Sequence, residues 1–379
     1  MNFDLSEEQQ LLSESLSRLL GDRYSFEQRR AIAASAEGWS PDIWRQLAEL
    51  GVLALGIPPS LGGLGGSAVD RLPVLQALGR VLALEPYMAS CVLGTTAVLT
   101  AGSPAQKDAL LPALASGELR LAWAHDEDGE RHNPAWVQAR ATCRDGGWRI
   151  DGHKPLVLGA NAAGRLVVSA RVAGEGADAQ GLALFLVDPK ADGVVLRHYR
   201  LVDDMPAAEL VLQGAPAQAL GDPADDGLQG AVIRAVLDAG AAAACASMVG
   251  AMESAFDLTS SYVNTRKQFG RLIGEYQALR HRVAEMKVSL EVARSMAMAA
   301  AVAADDGAGS PGSATELPRA KLVIGRQARQ LAQAAIQSHG GIGMTEEYAV
   351  GHCLRRIHVL DQLFGDVDAQ AARLARLGA

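Results

Sequence analysis

An arginine and several polar or aromatic residues are grouped at a break between two predicted helices. The segment YVNTRKQFGRLIGEYQALRHRVAEM (residues 262–286) begins on one helix, breaks at Gly270 and Gly274, and continues on another. Arg266 precedes the break, and its guanidinium can bind a diphosphate through two parallel hydrogen bonds. An arginine near a helix C-terminus is also favoured by the helix dipole, so spacing alone leaves a purely structural turn equally open. The other side chains here that can contact a dinucleotide are Gln268, Phe269 and Gln277.

A glycine-rich turn forms the second candidate segment, QSHGGIGMTEEY (residues 337–348). Glycines allow a backbone to approach a ligand closely. We expect a helix to begin after them, capped by Thr345. The free N–H groups in the first turn of that helix would suit a pyrophosphate. The alternative is an ordinary glycine C-cap followed by a new helix. A Rossmann fingerprint is excluded, because no strand precedes the segment and the spacing differs. The candidate ligand-facing residues are Gln337, Gly340, Gly341 and Gly343.

Composition narrows the class of protein. The 379 residues are 49% hydrophobic, enough for two or three domains. A net charge of −8 argues against a nucleic-acid partner. The four cysteines lie far apart without metal-ligand spacing, so we expect no metal site and reduced thiols. No signal core or run of 18 apolar residues occurs, which predicts a cytoplasmic protein without a membrane span.

The chain divides into three predicted regions: an N-terminal helical domain (1–118), a middle β-domain (119–226) and a C-terminal helical bundle (227–379). Helices are predicted from Leu5 to Leu20 with Ser6 as cap, and from Pro41 to Gly51 with Ser40 as cap. Further N-terminal helices are predicted at about 67–84 and 104–117.

Short segments with turn residues between them predict that the middle region is a small barrel or sandwich. Asp145-Gly146-Gly147 and Asp151-Gly152 are typical of hairpin turns. The predicted strand segments are 137–143, 147–152, 165–171, 181–188 and 207–214.

Apolar residues three and four apart, beginning at Leu279, then predict one face of a long bundle helix. We expect four long helices after the β-domain, as in an antiparallel bundle. The fold class is therefore α+β, mostly α.

These motifs together resemble the acyl-CoA dehydrogenase family. The pattern R-x-Q-F-G…I-G-x-x-Q (266–277) is followed about sixty residues later by Q-x-x-G-G-x-G (337–343), and the order of helices, strands and helices also matches. The resemblance covers nearly the whole chain. Within the family, RKQFG, AIQSHGGIGMTEEY and LDQLFGD resemble the small subunit of pimeloyl-CoA dehydrogenase.

The resemblance implies FAD as cofactor and formation of an α,β double bond in an acyl-CoA, the chemistry of fatty acid metabolism. A carboxylate takes the α-proton, flavin takes the β-hydride, and electrons pass to an electron-transferring flavoprotein. In the family, two subunits build one FAD site. The ADP half is held by residues that match Arg266, Gln268, Phe269, Gln277, Gln337, Gly340 and Gly341 here.

Residues that face a subunit's own flavin and substrate depart from the family pattern. The usual glutamate position is Phe364, and the alternative glutamate position on the first bundle helix falls near Gly240, with Asp238 the nearest carboxylate. The T-E-P-x-x-G-S-D segment of the middle domain is AWAHDEDGERH (122–132). The flavin-shielding tryptophan is Leu156, two residues after Lys154, and a substrate-side arginine is Ala241.

Two aspartates are weaker candidates for the base. Asp361 precedes Phe364 by one helical turn, and Asp366 follows it, but we expect both to be solvated carboxylates at helix ends. His125, His339 and His358 are expected to be satisfied core or surface groups. The acidic residues 126–130 predict a solvated loop, with metal binding the weaker alternative.

Three functional hypotheses follow. The chain is a dehydrogenase subunit in a homo- or heterotetramer, where a large subunit of an α2β2 enzyme supplies the base. Alternatively it is a non-catalytic structural subunit, or a flavin-dependent monooxygenase on the same fold. The acyl chain of the substrate stays open.

Overall fold

The N-terminal region is helical, as the sequence predicts. The computed structural model describes residues 7–144, 146–307 and 310–378. Ser40 accepts a hydrogen bond from the backbone N–H of Ile43 (3.3 Å), and Pro41 begins the helix, which confirms the predicted start; the predicted cap Ser6 lies outside the described residues. The helices are α1 (Glu7–Arg23), α2 (Phe26–Ala34), α3 (Pro41–Glu49), α4 (Ala68–Arg80), α5 (Thr95–Ala101) and α6 (Pro104–Ala115), with a π-helix at Met88–Gly94 before α5.

The middle region is a barrel, which resolves the alternative left open by the sequence. Its strands are β1 (Leu121–Ala124), β2 (Arg140–Arg144), β3 (Gly147–Leu158), β4 (Arg165–Arg171), β5 (Leu182–Val187), β6 (Val194–Arg200) and β7 (Pro206–Ala219). The pairing runs β4–β2–β3–β7–β5 and returns to β4, so five strands close on themselves. β1 adds to β4 in parallel and β6 adds to β7.

One predicted turn of the barrel is wrong. Asp151-Gly152 lies inside β3, where Asp151 pairs with Arg140 of β2 and Gly152 pairs with Leu212 of β7. The glycine marks an irregularity in the ladder, since a Cβ there would lie 2.5 Å from the Cβ of Ala139. At the other predicted turn, Gly146 has φ +77° beside the pair Arg144–Gly147, and Asp145 lies outside the described residues.

The C-terminal region is a bundle of long helices, as predicted. The most apolar window of its first helix is 78% buried, so that helix is a core element of the bundle. Four helices form the bundle, and a fifth packs on the third. They are α7 (Asp226–Thr265), α8 (Gln277–Asp305), α9 (Pro311–His339), α10 (Ala349–Gln362) and α11 (Val367–Leu377).

Two buried arginines join the three regions. Arg29 of α2 donates to the carbonyl of Leu82 (2.9 Å) and to the Asp204 carboxylate (3.0 Å) in the turn between β6 and β7. Arg356 of α10 donates to the same Leu82 carbonyl (3.2 Å) and forms an ion pair with buried Asp203. Burial, followed by the nearby Arg356, lowers the pKa of Arg29. Each region therefore supplies a charged group to one shared junction.

We predict that Arg356→Ala lowers the free energy of unfolding by about 3–5 kcal/mol, because it leaves the Asp203 carboxylate buried and unpaired. Denaturant unfolding followed by circular dichroism measures the change. Arg45→Ala is the control: its ion pair with Asp42 is exposed on both sides, so a change of at most about 1 kcal/mol is expected. Equal losses in the two variants would contradict the proposed junction.

Candidate functional site

Arg266 introduces a tight hairpin between α7 and α8. Two short strands, β8 (Lys267–Gln268) and β9 (Arg271–Leu272), are joined by Phe269 and Gly270. Both turn residues have positive φ (+52° and +83°), as a type I′ turn requires. The turn leaves the Phe269 side chain 91% exposed at the tip. The N–H of Ile273 donates to the Arg266 carbonyl (2.9 Å) and closes the base of the hairpin.

The glycine turn follows α9 directly. Gly340 has φ +67°, and a Cβ at Gly340 or Gly341 would meet no heavy atom within 4 Å, so this backbone is open to a ligand. Gly343 differs, because it is buried and a Cβ there would lie 2.9 Å from the Ile336 carbonyl oxygen. Of the three glycines, the first two face open space and the third serves close packing.

The expected cap at Thr345 is wrong. Residues Gly340–Met344 form a 3-10 helix, and the Thr345 hydroxyl donates to the Ile342 carbonyl (3.0 Å) at its end. α10 begins only at Ala349, without a side-chain cap. The extra turn separates the glycines from the next helix, so any ligand contact here comes from open loop backbone.

Stacked rings hold the hairpin and the glycine turn at the same end of the bundle. Tyr262, in the last turn of α7, stacks on His339 at the end of α9 with ring centroids 4.5 Å apart. His339 also contacts Tyr348 (5.0 Å), and its Nδ1 shares a hydrogen bond with the Ala335 carbonyl (2.8 Å). Burial lowers the pKa of His339. The ring is a core group, as expected, but its Nε2 is buried without a hydrogen-bond partner among the described residues, so it is not fully satisfied.

The polar side chains on these two elements are free to bind a ligand. All four are exposed, and among the described residues none forms a side-chain hydrogen bond or ion pair. Arg271 of the same hairpin contrasts with them, since its guanidinium lies 3.9 Å from the Tyr276 ring centroid. One cation, three amides and open glycine backbone suit the ADP half of FAD. The four free side chains are Arg266, Gln268, Gln277 and Gln337.

The two positions that the family resemblance assigns to a catalytic glutamate, Phe364 and Gly240, lie in contact. Phe364 lies between α10 and α11 with φ +58°. Its ring packs directly on Gly240 of α7, where an added Cβ would lie 2.5 Å from the ring Cε1. Neither a phenyl ring nor a glycine hydrogen can accept a proton, so neither position supplies the base that the resemblance leads us to expect.

The alternative carboxylates face elsewhere. Asp361 is 1% exposed, not solvated as expected, and accepts a hydrogen bond from Arg329 of α9 (2.9 Å). Helical spacing does not place Asp361 and Phe364 on one face, because α10 ends at Gln362, before Phe364. Asp366 caps α11 by accepting from the N–H of Ala369 (2.9 Å). Burial acts to raise the pKa of Asp366, but hydrogen bonds led by that from Ala369 lower it overall, which keeps the cap ionised.

Asp238 and Ala241 do not restore the missing groups. Asp238 accepts from the Ser313 hydroxyl (2.6 Å) on α9, away from the ring at Gly240. Ala241 is buried. Asp238 is therefore engaged by neighbouring side chains, and Ala241 carries no charge.

A buried lysine of the barrel organises the start of the loop that follows β1. Lys154 on β3 donates to the Glu127 carboxylate (2.7 Å), the His125 carbonyl (3.0 Å) and the Ser169 hydroxyl (3.0 Å). Glu127 is thus a structural ion-pair partner, whereas the rest of the acidic loop is exposed as expected. Burial, followed by Lys154, lowers the pKa of His125 to about 3, so this ring stays neutral. Leu156 packs against the core and offers no aromatic face.

Lys321 is a site residue that sequence reasoning missed. Its amine is fully buried in α9 and donates to the carbonyls of Asp361 (2.9 Å) and Gly365 (2.8 Å), one on each side of Phe364. A lysine within an otherwise apolar helix face was the available signal. No cluster of three potential metal ligands occurs among the described residues.

Comparisons with known proteins agree with this geometry. Sequence models of the acyl-CoA dehydrogenase N-terminal and C-terminal domains match residues 6–118 and 227–378. Acyl-CoA dehydrogenase IpdE2 of Mycobacterium tuberculosis is 30% identical over 94% of this chain and 93% of its own. The ChsE4-ChsE5 complex from Mycobacterium tuberculosis superposes with a TM-score of 0.86 at 25% identity over 99% and 98% of the two chains.

An FAD complex of PigA superposes with a TM-score of 0.88 at 25% identity, over 100% of this chain and 99% of its own. The open glycines and free arginine at one end of the bundle fit the same cofactor. The chain therefore belongs to the acyl-CoA dehydrogenase family, FAD-dependent flavoprotein oxidoreductases that act on CH–CH bonds.

Proposed function

We propose that this chain is the small subunit of a heteromeric acyl-CoA dehydrogenase. It supplies the ADP-binding half of an FAD site to a larger, related subunit that holds the flavin ring and the base. The complex introduces an α,β double bond into an acyl-CoA in the cytoplasm and passes electrons to an electron-transferring flavoprotein. The contact of the Phe364 ring with Gly240 supports this division most directly, because it removes both family positions for the base.

The residues that would bind the ADP half of FAD form the second part of the proposal. When bound, FAD supplies the acceptor for the hydride that leaves the β-carbon. Arg266 would neutralise the diphosphate, and the diphosphate could approach the backbone at Gly340 and Gly341 without steric hindrance. The N–H of Gly340 donates to the Ile336 carbonyl, so it is not available to the ligand. Gln268, Gln277 and Gln337 would donate to ribose or adenine. Fixing the cofactor's tail in this way positions its ring in the neighbouring subunit.

The partner requirement follows from what the chain lacks. Dehydrogenation needs a carboxylate within reach of the α-carbon and a cleft that excludes water. This chain has a ring and a glycine at that point, while its nucleotide elements are exposed at the end of the bundle. A related fold occurs in the ChsE4-ChsE5 complex, which by its name pairs two different proteins. A partner of the same family would supply the missing groups.

We predict one FAD for each pair of chains when this protein is co-expressed with the product of a neighbouring acyl-CoA dehydrogenase gene. The chain purified alone should bind little FAD, since it holds only one half of the site. Flavin released by denaturation, divided by protein concentration, gives the ratio. One FAD for every copy of a pure homo-oligomer would refute the subunit assignment.

We predict that Arg266→Ala weakens FAD binding to the complex about 10- to 100-fold, because a hydrogen bond to a charged group contributes about 1.5–3 kcal/mol. Fluorescence titration of the apo-complex with FAD measures the affinity. Lys267→Ala, the next residue on the exposed hairpin, is the matched control for lost charge and should change affinity less than about threefold. Unchanged affinity in the arginine variant would remove Arg266 from the site.

We predict that Asp361→Asn and Asp366→Asn leave acyl-CoA-dependent dye reduction by the complex within about twofold. Asparagine preserves the cap of α11, and Asp361 faces Arg329. Loss of a general base costs about 10²- to 10⁴-fold. A rate reduced to that extent in either folded variant would place the base in this chain. Oxygen uptake driven by NADH, without dye reduction, would instead indicate a monooxygenase.

A further inference from the structure

The turn that carries Phe364 is held on both sides by buried side chains. Lys321 bonds to carbonyls before and after it, and the amide of Gln370 donates to the carbonyl of Phe364 (2.9 Å). These bonds stabilise the positive φ of Phe364, a conformation that a bulky residue adopts only when its surroundings enforce it. The ring is therefore held on Gly240 and does not swing freely.

The barrel closes over the same turn. The latch loop, residues 129–133 between β1 and β2, reaches across to the bundle. Arg131 donates to the side-chain oxygen of Gln362 (2.6 Å), and His132 Nε2 lies 3.9 Å from the Asp366 carboxylate. Gln362 and Asp366 lie two residues before and two after Phe364, so the two latch contacts bracket the ring.

The root of the latch loop is fixed to the barrel. The Glu127 carboxylate accepts hydrogen bonds from the amine of buried Lys154 and from the backbone N–H groups of Gln138 and Ala139 (3.1 Å for Ala139). In the resemblance to the family, this segment replaces the one that faces the flavin. In this protein the Glu127 carboxylate of that segment is fully engaged in anchoring the loop.

A small cavity lies between α4, α7 and α8, beside the helix that carries Gly240. Its volume is about 20 Å³, room for one water molecule. Four alanines of α7 line it: Ala239, Ala242, Ala243 and Ala246. This cavity is too small to hold an acyl chain.

We propose that Phe364 and the latch loop form a lock that seals this chain's own flavin and acyl cleft, so that the complex binds one acyl-CoA per pair of chains. This inference rests on the proposed function, which gives the pair a second, working cleft. The lock excludes a thioester from a site that has no base, and so keeps acyl-CoA from being held unproductively.

The test is the number of acyl-CoA molecules bound by the complex, measured by calorimetric titration with octanoyl-CoA under anaerobic conditions. The lock predicts one site per pair in the wild type. It predicts a second site in the triple variant Phe364→Gly with Arg131→Ala and His132→Gly. Glycine removes the ring and the imidazole while suiting the positive φ of both residues, +58° and +64°.

Phe256→Ala is the matched control, because it removes a ring from α7 away from Gly240 and should leave one site. A wild-type complex that binds two acyl-CoA molecules per pair would overturn the lock, as would a folded triple variant that still binds one. The FAD ratio of the wild type tests the subunit assignment separately, so failure of one proposal is distinguishable from failure of the other.

Discussion

The function proposed for this protein depends on one contact, in which the phenyl ring of Phe364 lies on Gly240. The ring requires a glycine beneath it, since any larger side chain would overlap it at 2.5 Å. It also requires a left-handed backbone at residue 364, which Lys321 and Gln370 enforce through the carbonyls around it. Interactions from α7, α9 and α11 therefore converge on the turn that carries Phe364. We propose that this turn stands where the family's chemistry needs a carboxylate.

The opposite end of the bundle is organised for binding. Stacking of Tyr262 on His339 fixes the ends of α7 and α9 side by side, and a hairpin and a glycine turn extend from them. Their polar side chains are exposed and uncommitted, and two glycines leave backbone open. These features suit an anionic dinucleotide at one end of the bundle, while Phe364 lies on Gly240 at the other. The division of labour between subunits that we propose accounts for both features together.

Much of the fold was predictable because its signals are local. Ser40 and Pro41 set the start of α3, and the apolar spacing from Leu279 set the buried face of α8. The predicted turn at Asp151-Gly152 was wrong because this glycine lies within a long barrel strand. The close approach of Ala139, which requires the glycine, cannot be read from the sequence. Strand β1 was missed because it is only four residues long, and β6 because most of its residues are exposed and it pairs only with β7. Helices α2 and α5 were also missed, although Ser25 and Gln28 form a local capping box at the start of α2.

The site was predictable where it depends on a motif and unpredictable where it depends on long-range contacts. The spacing from Arg266 to Gln277 and the glycines at 340–343 predicted the two elements that we propose to bind the nucleotide. That Gly240 and Phe364 touch, that Asp361 turns toward Arg329, and that Arg131 reaches Gln362 all join residues at least 32 positions apart. The prediction at Thr345 also failed, because a 3-10 helix at Gly340–Met344 precedes it and α10 begins only at Ala349.

A structure of the co-purified complex with FAD tests the central claim most directly. We expect the diphosphate of each FAD within hydrogen-bond distance of this chain's Arg266 guanidinium, its flavin ring in the cleft of the larger subunit, and Phe364 still seated on Gly240. A flavin ring bound between the barrel and the bundle of this chain, with Phe364 displaced, would contradict the assignment.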